Sequence, residues 1–104
     1  MGRYVYSKSP EIEYNYKFSF AEQPSNFGEL LEDHGLETIG VTRYLSDSGE
    51  YVELFVDDVV QARKELEEMA TYQTEEYNAR MIKELYESFP DELPSHNLTF
   101  FVEY

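Results

Sequence analysis

Two alternating stretches of sequence joined by a turn constrain this chain more than any other feature. Residues 38–45 and 51–56 alternate between apolar and polar side chains, which is the pattern of a strand with one buried face. Residues 46–49 between them, Ser-Asp-Ser-Gly, are of the types that favour tight turns. The sequence therefore predicts a β-hairpin.

The alternation also predicts the register of this hairpin. With Leu45 opposite Glu50, the pattern brings together Ile39 with Val56, Val41 with Leu54, and Tyr44 with Tyr51. One face is then aliphatic and the other is aromatic and polar. A slip of one residue would mix the two faces, so the pattern itself specifies the pairing.

Further strands are predicted on either side of the hairpin. Residues 11–20 alternate strictly and carry their apolar side chains on one face: Ile12, Tyr14, Tyr16, Phe18 and Phe20. Residues 98–104 alternate in the same way and predict a terminal strand. Residues 1–10 end in Ser9-Pro10, which is typical of a short edge strand or a loose arm.

Two helical regions separate these strands. Residues 27–34 follow two candidate caps, Ser25 and Asn26, the latter with Glu29 three residues on as a capping-box-like pair. They precede Gly35, which can end a helix in the left-handed conformation. A longer region begins after the N-cap residue Asp58. Its apolar stripe drifts round the helix, because each residue turns it by about 100°. We therefore expect a kink or a break near residues 71–74, with Thr74 as a candidate cap of the second piece.

The order of these elements predicts the fold. Strand, helix, strand, strand, helix, strand is the order of an α+β protein with the ferredoxin-like βαββαβ arrangement. We expect a four-stranded antiparallel sheet with the first and third strands in the centre. Both helices would lie on one face, the second extended or kinked. Residues 1–104 fit a single domain.

Residues 14–69 resemble the ACT regulatory domain. The resemblance rests on Phe18-Ser19-Phe20, on the helix at residues 27–34, on the segments 35–39 and 55–58, and on Ala62 with Leu66. It implies the same ferredoxin-like fold. It also implies a regulatory module that binds a small molecule, an amino acid in that family, at a dimer interface.

The composition argues against catalysis. The chain has no cysteine and two histidines, and it contains no phosphate-binding glycine loop, zinc motif or nucleophile elbow. We therefore expect a protein that is not an enzyme and that needs no cofactor and no metal. No segment has the pattern of a membrane span or a secretory signal, which predicts a cytoplasmic protein.

The formal net charge of −14 is the most unusual total. Such a chain is repelled by nucleic acids and by anionic membranes and is attracted to basic surfaces. The second helical region predicts an acidic partner-binding flank formed by Glu65, Glu68, Glu75, Glu76, Glu84, Glu87, Asp91 and Glu92. Carboxylates one helical turn apart can imitate backbone phosphates. The alternative is that the acidity only keeps the protein soluble.

The helix-free face of the predicted sheet offers a second surface. Tyr44, Tyr51, Phe55 and Phe101 should project from it together, which favours a homodimer or a protein partner. The alternative is that the extended helix, or the N-terminal arm with Tyr4 and Tyr6, folds over these rings.

These features lead to three functional hypotheses. In composition the chain resembles phage-encoded inhibitors of the anti-CRISPR or anti-restriction type, which predicts an inhibitor that blocks the basic, nucleic-acid-binding site of a host protein in the host cytoplasm. The first alternative is the ACT-like regulatory module. The second is a structural or assembly subunit.

We expect the chain to fold without any metal ion, because every predicted element has its own periodic apolar face and no metal-ligand cluster occurs. Circular dichroism in the presence of a chelator tests this. An unfolded spectrum that a divalent ion restores would contradict it.

Overall fold

The computed structural model describes residues 5–7, 19–20, 26–89 and 97–103, and the structural statements below concern these residues. Their elements follow one another in this order: β1 (Val5–Ser7), β2 (Ser19–Phe20), α1 (Phe27–His34), β3 (Ile39–Leu45), β4 (Gly49–Val56), α2 (Val59–Thr71), α3 (Glu76–Ser88) and β5 (Asn97–Glu103). The protein is therefore an α+β fold with three described helices.

The long strands β3, β4 and β5 form an antiparallel sheet with β4 in the middle. The short strands β1 and β2 extend it to the order β2-β1-β5-β4-β3. The predicted hairpin register is confirmed at all four positions, since Leu45 pairs with Glu50, Ile39 with Val56, Val41 with Leu54 and Tyr44 with Tyr51.

One cluster of buried side chains joins the helices to the sheet. Alternate residues of the two central strands are buried against the helices: Val52, Leu54 and Val56 from β4, and Leu98, Phe100 and Val102 from β5. The helices contribute Phe27, Leu31, Ala62, Leu66, Met69, Met81, Ile82 and Leu85. Burial of these apolar groups is the main favourable contribution to folding.

The observed helix ends agree in part with those predicted from the sequence. α1 ends at Gly35, whose φ of 70° is the left-handed conformation that glycine adopts without steric cost, and α2 begins after Asp58 as predicted. Asn26 is the N-cap residue of α1, but its side chain makes no cap hydrogen bond, so the predicted capping-box-like pair is wrong: Asn26 Nδ2 donates to Asn78 Oδ1 at 2.9 Å instead. The alternative cap, Ser25, lies outside the described residues.

The predicted break in the second helical region is confirmed. α2 ends at Thr71 and α3 begins at Glu76. The N-cap of α3 is Glu75, so the expectation that Thr74 caps this helix is wrong. Arg63 Nη2, near the start of α2, donates to the carbonyl of Phe89, just after α3, at 2.7 Å. The two helices are therefore antiparallel neighbours.

The strand order corrects the ferredoxin-like prediction. That arrangement places the first strand of the chain between the third and the last, whereas β5 pairs directly with β4 along residues Gly49 to Phe55. The helix break is the physical reason. One helix after β4 would return the chain parallel to it, but two antiparallel helices bring β5 back antiparallel to β4, where it can pair at once.

The predicted N-terminal strands are described only in part. Ser19–Phe20 pairs with β1, and residues 11–18 of that predicted strand lie outside the described residues. Val5–Ser7, from the segment for which an edge strand or an arm was expected, has β2 on one side and β5 on the other. None of the described helices combines the length and apolar character that crossing a bilayer requires.

We expect Asp58→Ala to lower the free energy of unfolding by about 1 kcal/mol. Asp58 Oδ1 accepts hydrogen bonds from the N–H groups of Val60 and Gln61 at 3.0 and 3.2 Å, and alanine leaves both donors without this acceptor. Urea denaturation measures the change. Asp57→Ala removes the same charge from the neighbouring exposed residue, and an equal loss of stability in both variants would contradict the capping role.

Candidate protein-binding surfaces

The structure exposes most of the predicted acidic flank. Of the flank residues that the structure describes, five are exposed: Glu68, Glu75, Glu76, Glu84 and Glu87. We call these five residues the acidic helical surface. Asp91 and Glu92 lie outside the described residues. Glu65 is only half exposed, and its contacts set it apart from the others.

Glu65 binds the backbone of the segment that precedes β3. Its Oε2 accepts the N–H of Glu37 at 2.9 Å, and its Oε1 accepts the N–H of Thr38 at 2.8 Å. The Thr38 hydroxyl donates to the same Oε1. The carboxylate therefore ties the α1–β3 connection to the middle of α2, and Glu65 is part of the folded framework.

The pKa of Glu65 reflects these contacts. Burial raises it, but the hydrogen bonds from the Thr38 hydroxyl and from the N–H groups of Glu37 and Thr38, together with nearby His34, outweigh burial. The net effect lowers the pKa below its usual value, because the hydrogen bonds favour the charged form. Glu65 is thus held ionised at the partly buried position where it accepts these three hydrogen bonds.

The two flanks of α2 differ in their surroundings. Glu65 faces the α1–β3 connection, whereas Arg63 and Glu67 face α3. Burial and then the negative charges of Glu67 and Glu87 raise the pKa of Tyr86 on α3. Exposed Glu67 therefore lies on the side of α2 that faces α3, whereas Glu68, three residues after Glu65, lies on the same flank as Glu65.

A second concentration of negative charge lies outside the predicted flank. Residues 26–62 contain nine carboxylate side chains and one arginine. The exposed ones are Glu29, Glu32, Asp33, Glu37, Asp47, Asp57 and Asp58. Helical spacing does not reveal this concentration, because its members lie on α1, on the connections and on the strands; a count of charges by segment does.

The single arginine of that region is already neutralised. Arg43 Nη2 lies 2.8 Å from Glu50 Oε2, and its Nη1 lies 3.0 Å from Glu32 Oε1. Hydrogen bonding to Glu50 is the largest cause that raises the pKa of Arg43, and burial opposes it. Arg43 therefore offers little positive charge to the outside.

Glu50 is the most deeply buried carboxylate of the described residues, with 1% of its surface exposed. Its Oε1 has no hydrogen-bond partner among them. A Cβ built on Gly28 would come within 2.6 Å of this oxygen. The carboxylate thus lies against the first turn of α1, where the helix dipole favours a negative charge, and glycine is the residue that leaves room for it.

The predicted aromatic face forms a row across the sheet. Tyr44 pairs with Tyr51, and Tyr51 pairs with Phe101. The Tyr51 and Phe101 rings have centroids 4.8 Å apart. Phe101 is buried, contrary to the expectation that it projects outward with the others, while Tyr44 and Phe55 are about half exposed. Self-association through this face stays a prediction.

Metal binding finds no support in the arrangement of these groups. Among the residues that the structure describes, no three or more histidine, aspartate or glutamate side chains come together as a metal site.

Comparisons of the chain with protein-family models, curated proteins and solved structures give no significant match.

We expect Glu65→Gln to lower the free energy of unfolding by about 1–3 kcal/mol at neutral pH, the range for hydrogen bonds to a charged group. The amide of glutamine turns a donor toward groups that are themselves donors. Glu68→Gln makes the same charge change on an exposed side chain and should alter stability little. Urea denaturation compares the two variants.

The Glu65 effect should depend on pH. Because the folded-state pKa is lowered, the stabilisation is present above the unfolded-state pKa and is lost as the pH falls through the folded-state pKa. The stability difference between the unmodified protein and Glu65→Gln should therefore shrink in acid. A difference that stays constant from neutral pH to strongly acidic pH would contradict the role of the ionised carboxylate.

Proposed function

We propose that this protein is a binding inhibitor that occupies the basic, nucleic-acid-binding site of another protein. The observation that carries the proposal is the imbalance of charge at the surface. Six exposed carboxylates lie on α2, on α3 and at the N-cap of α3, against three exposed cations on the same helices (Lys64, Arg80 and Lys83), and the one arginine of residues 26–62 is paired internally. A surface of this kind attracts basic clefts and repels nucleic acids.

The antiparallel helix pair supports this proposal geometrically. Carboxylates one turn apart on a helix have Cβ atoms about 5–6 Å apart, and packed neighbouring helices have axes about 8–10 Å apart. Exposed Glu67 on α2 and Glu84 and Glu87 on α3 are thus spaced in two dimensions. Such an array can form ion pairs with the cationic groups that line a nucleic-acid-binding groove.

The remaining exposed carboxylates would speed association with the partner through long-range electrostatic attraction. Those of α1 and the adjacent connections, such as Glu29, Asp33 and Glu37, add to the field that steers encounter with a basic partner. In this proposal the acidic helical surface makes the close contacts. The inhibitor acts in the cytoplasm, that of the host cell if a phage encodes it.

We expect replacing four carboxylates of the acidic helical surface (Glu68→Gln, Glu75→Gln, Glu76→Gln and Glu84→Gln) to shorten the lifetime of the inhibitory complex. A control with Glu29→Gln, Asp33→Asn, Glu37→Gln and Asp47→Asn removes the same charge elsewhere. The control should slow association and leave dissociation nearly unchanged, because distant charges act mainly on encounter. Circular dichroism verifies that both variants fold.

The experiment begins with capture of a partner from a host lysate, followed by competition between the protein and the partner's DNA or RNA. Association should weaken with added salt, since screening acts within about 10 Å at 0.1 M. A partner that still binds its nucleic acid in the complex would overturn the proposal. Failure to capture a basic protein, with stabilisation by a free amino acid instead, would favour the ACT-like regulatory module.

A further inference from the structure

The outer edge of β3 is an interaction surface of its own. β3 is the last strand of the sheet, and its seven residues pair with β4 without interruption. Within the described residues, no strand pairs with its outer side. Proteins usually protect such an edge with proline, lysine, a bulge or a very short strand, and Ile39–Leu45 contains no proline and no lysine.

The hydrogen-bond phase of the hairpin shows which groups face outward. The Ser46 N–H donates to the Gly49 carbonyl at 2.8 Å. Opposite residues of an antiparallel pair alternate between bonded and non-bonded positions, so Gly40, Thr42 and Tyr44 bond to β4. The residues whose backbone N–H and C=O groups face the open edge are then Ile39, Val41, Arg43 and Leu45.

The one charged side chain within β3 does not protect this edge from pairing with another strand. Arg43 is drawn toward the helices, where Glu50 Oε2 lies 2.8 Å from its Nη2 and Glu32 Oε1 lies 3.0 Å from its Nη1. Tyr44 and Leu45 are exposed beside the edge, Leu45 to 77%. The edge therefore combines unpaired backbone groups with accessible apolar surface.

Apart from Arg43, which is paired with Glu32 and Glu50, the charges described around the edge are negative. Exposed Glu37 and Asp57 lie near the start of β3, exposed Asp47 follows its end, and half-exposed Glu53 lies opposite Thr42 on the helix-free face. No lysine or arginine stands at the positions of β3, β4 and β5 that share this face. A second copy would bring another net charge of −14, which opposes pairing of two β3 edges.

We propose that the outer edge of β3 binds an extended, cationic segment of a partner protein as an additional strand of the sheet. Backbone hydrogen bonds to Val41 and Arg43 provide the attachment, in the manner of strand addition to a sheet edge. Lysine or arginine side chains of the segment meet Glu53 and the carboxylates at the ends of β3. This inference goes beyond the proposed function, because it rests on the β3 backbone and not on the acidic helical surface.

A synthetic peptide of about nine residues, long enough to pair with all of β3, tests the inference with the full chain. It alternates lysine with valine or threonine. On binding, the amides of Val41, Arg43 and Leu45 should become protected from hydrogen exchange, while protection of Thr42 and Tyr44 stays unchanged. This alternating protection is the direct signature of strand addition.

Two N-methylated peptides supply the matched control. Methyl groups on the alternate nitrogens that face β3 should abolish binding, and methyl groups on the other alternate nitrogens should leave it nearly unchanged. Both peptides have the same composition and charge. Equal binding of the two, or binding without alternating amide protection, would overturn the inference.

Protein variants test the charge argument at the same edge. Thr42→Glu should tighten peptide binding about two- to fivefold and Thr42→Lys should weaken it about equally, as expected for cross-strand charge pairs. The same two substitutions at exposed Thr74, in the connection between α2 and α3, should change binding less. Equal effects at both positions would overturn the assignment to β3, as would a dimer in which the β3 amides become protected without peptide.

The outcome is independent of the inhibitor proposal. Peptide binding is measured without nucleic acid, and the Gln variants of the acidic helical surface should bind the peptide with nearly unchanged affinity. Loss of peptide binding in those variants would overturn the inference. Nucleic-acid competition that fails while the peptide still adds to β3 would overturn the inhibitor proposal alone.

Discussion

The antiparallel return of α2 and α3 is the constraint on which the rest of the structure depends. It brings β5 back beside β4, so that β4 is paired on both sides and supplies buried residues at Val52, Leu54 and Val56. The contact of Arg63 with the Phe89 carbonyl joins the beginning and the end of this helix pair. The same return leaves β3 at the edge of the sheet.

The two described carboxylates that point into the fold, those of Glu50 and Glu65, each have specific hydrogen-bond donors. Glu50 lies beside Arg43, and Glu65 receives two backbone N–H groups and a hydroxyl. A carboxylate in either place without these partners would lose solvation without compensation. The other acidic side chains of the described residues are half exposed or exposed, so that water solvates them and they produce the outward field.

Much of the fold could be predicted from local patterns in the sequence. The hairpin register follows from a period of two residues, and the helix break follows from the drift of the apolar stripe. Both signals lie within a few neighbouring turns or residue pairs. The strand order was wrong because the direction of β5 depends on the number of helices before it, and the run Phe100-Phe101-Val102 is typical of a strand buried on both faces.

The contacts of the candidate surfaces were less predictable. Glu65 and Glu37 are 28 residues apart, and nothing in the local spacing distinguishes Glu65 from Glu68. Only the approach of the α1–β3 connection to α2 gives the first a backbone partner and leaves the second exposed. The same holds for Asn26, whose preference for Asn78 over its own helix depends on the position of α3.

The close approach at Gly28 has an evolutionary consequence. A Cβ there would meet Glu50 Oε1 at 2.6 Å, Val52 Cγ2 at 2.8 Å and Arg43 Nε at 3.1 Å. A larger residue at position 28 therefore requires Glu50 and Val52 to give way together, and a smaller acid at position 50 would leave Arg43 paired with Glu32 alone. We therefore expect mutational drift at position 28 to require compensating substitutions on β4.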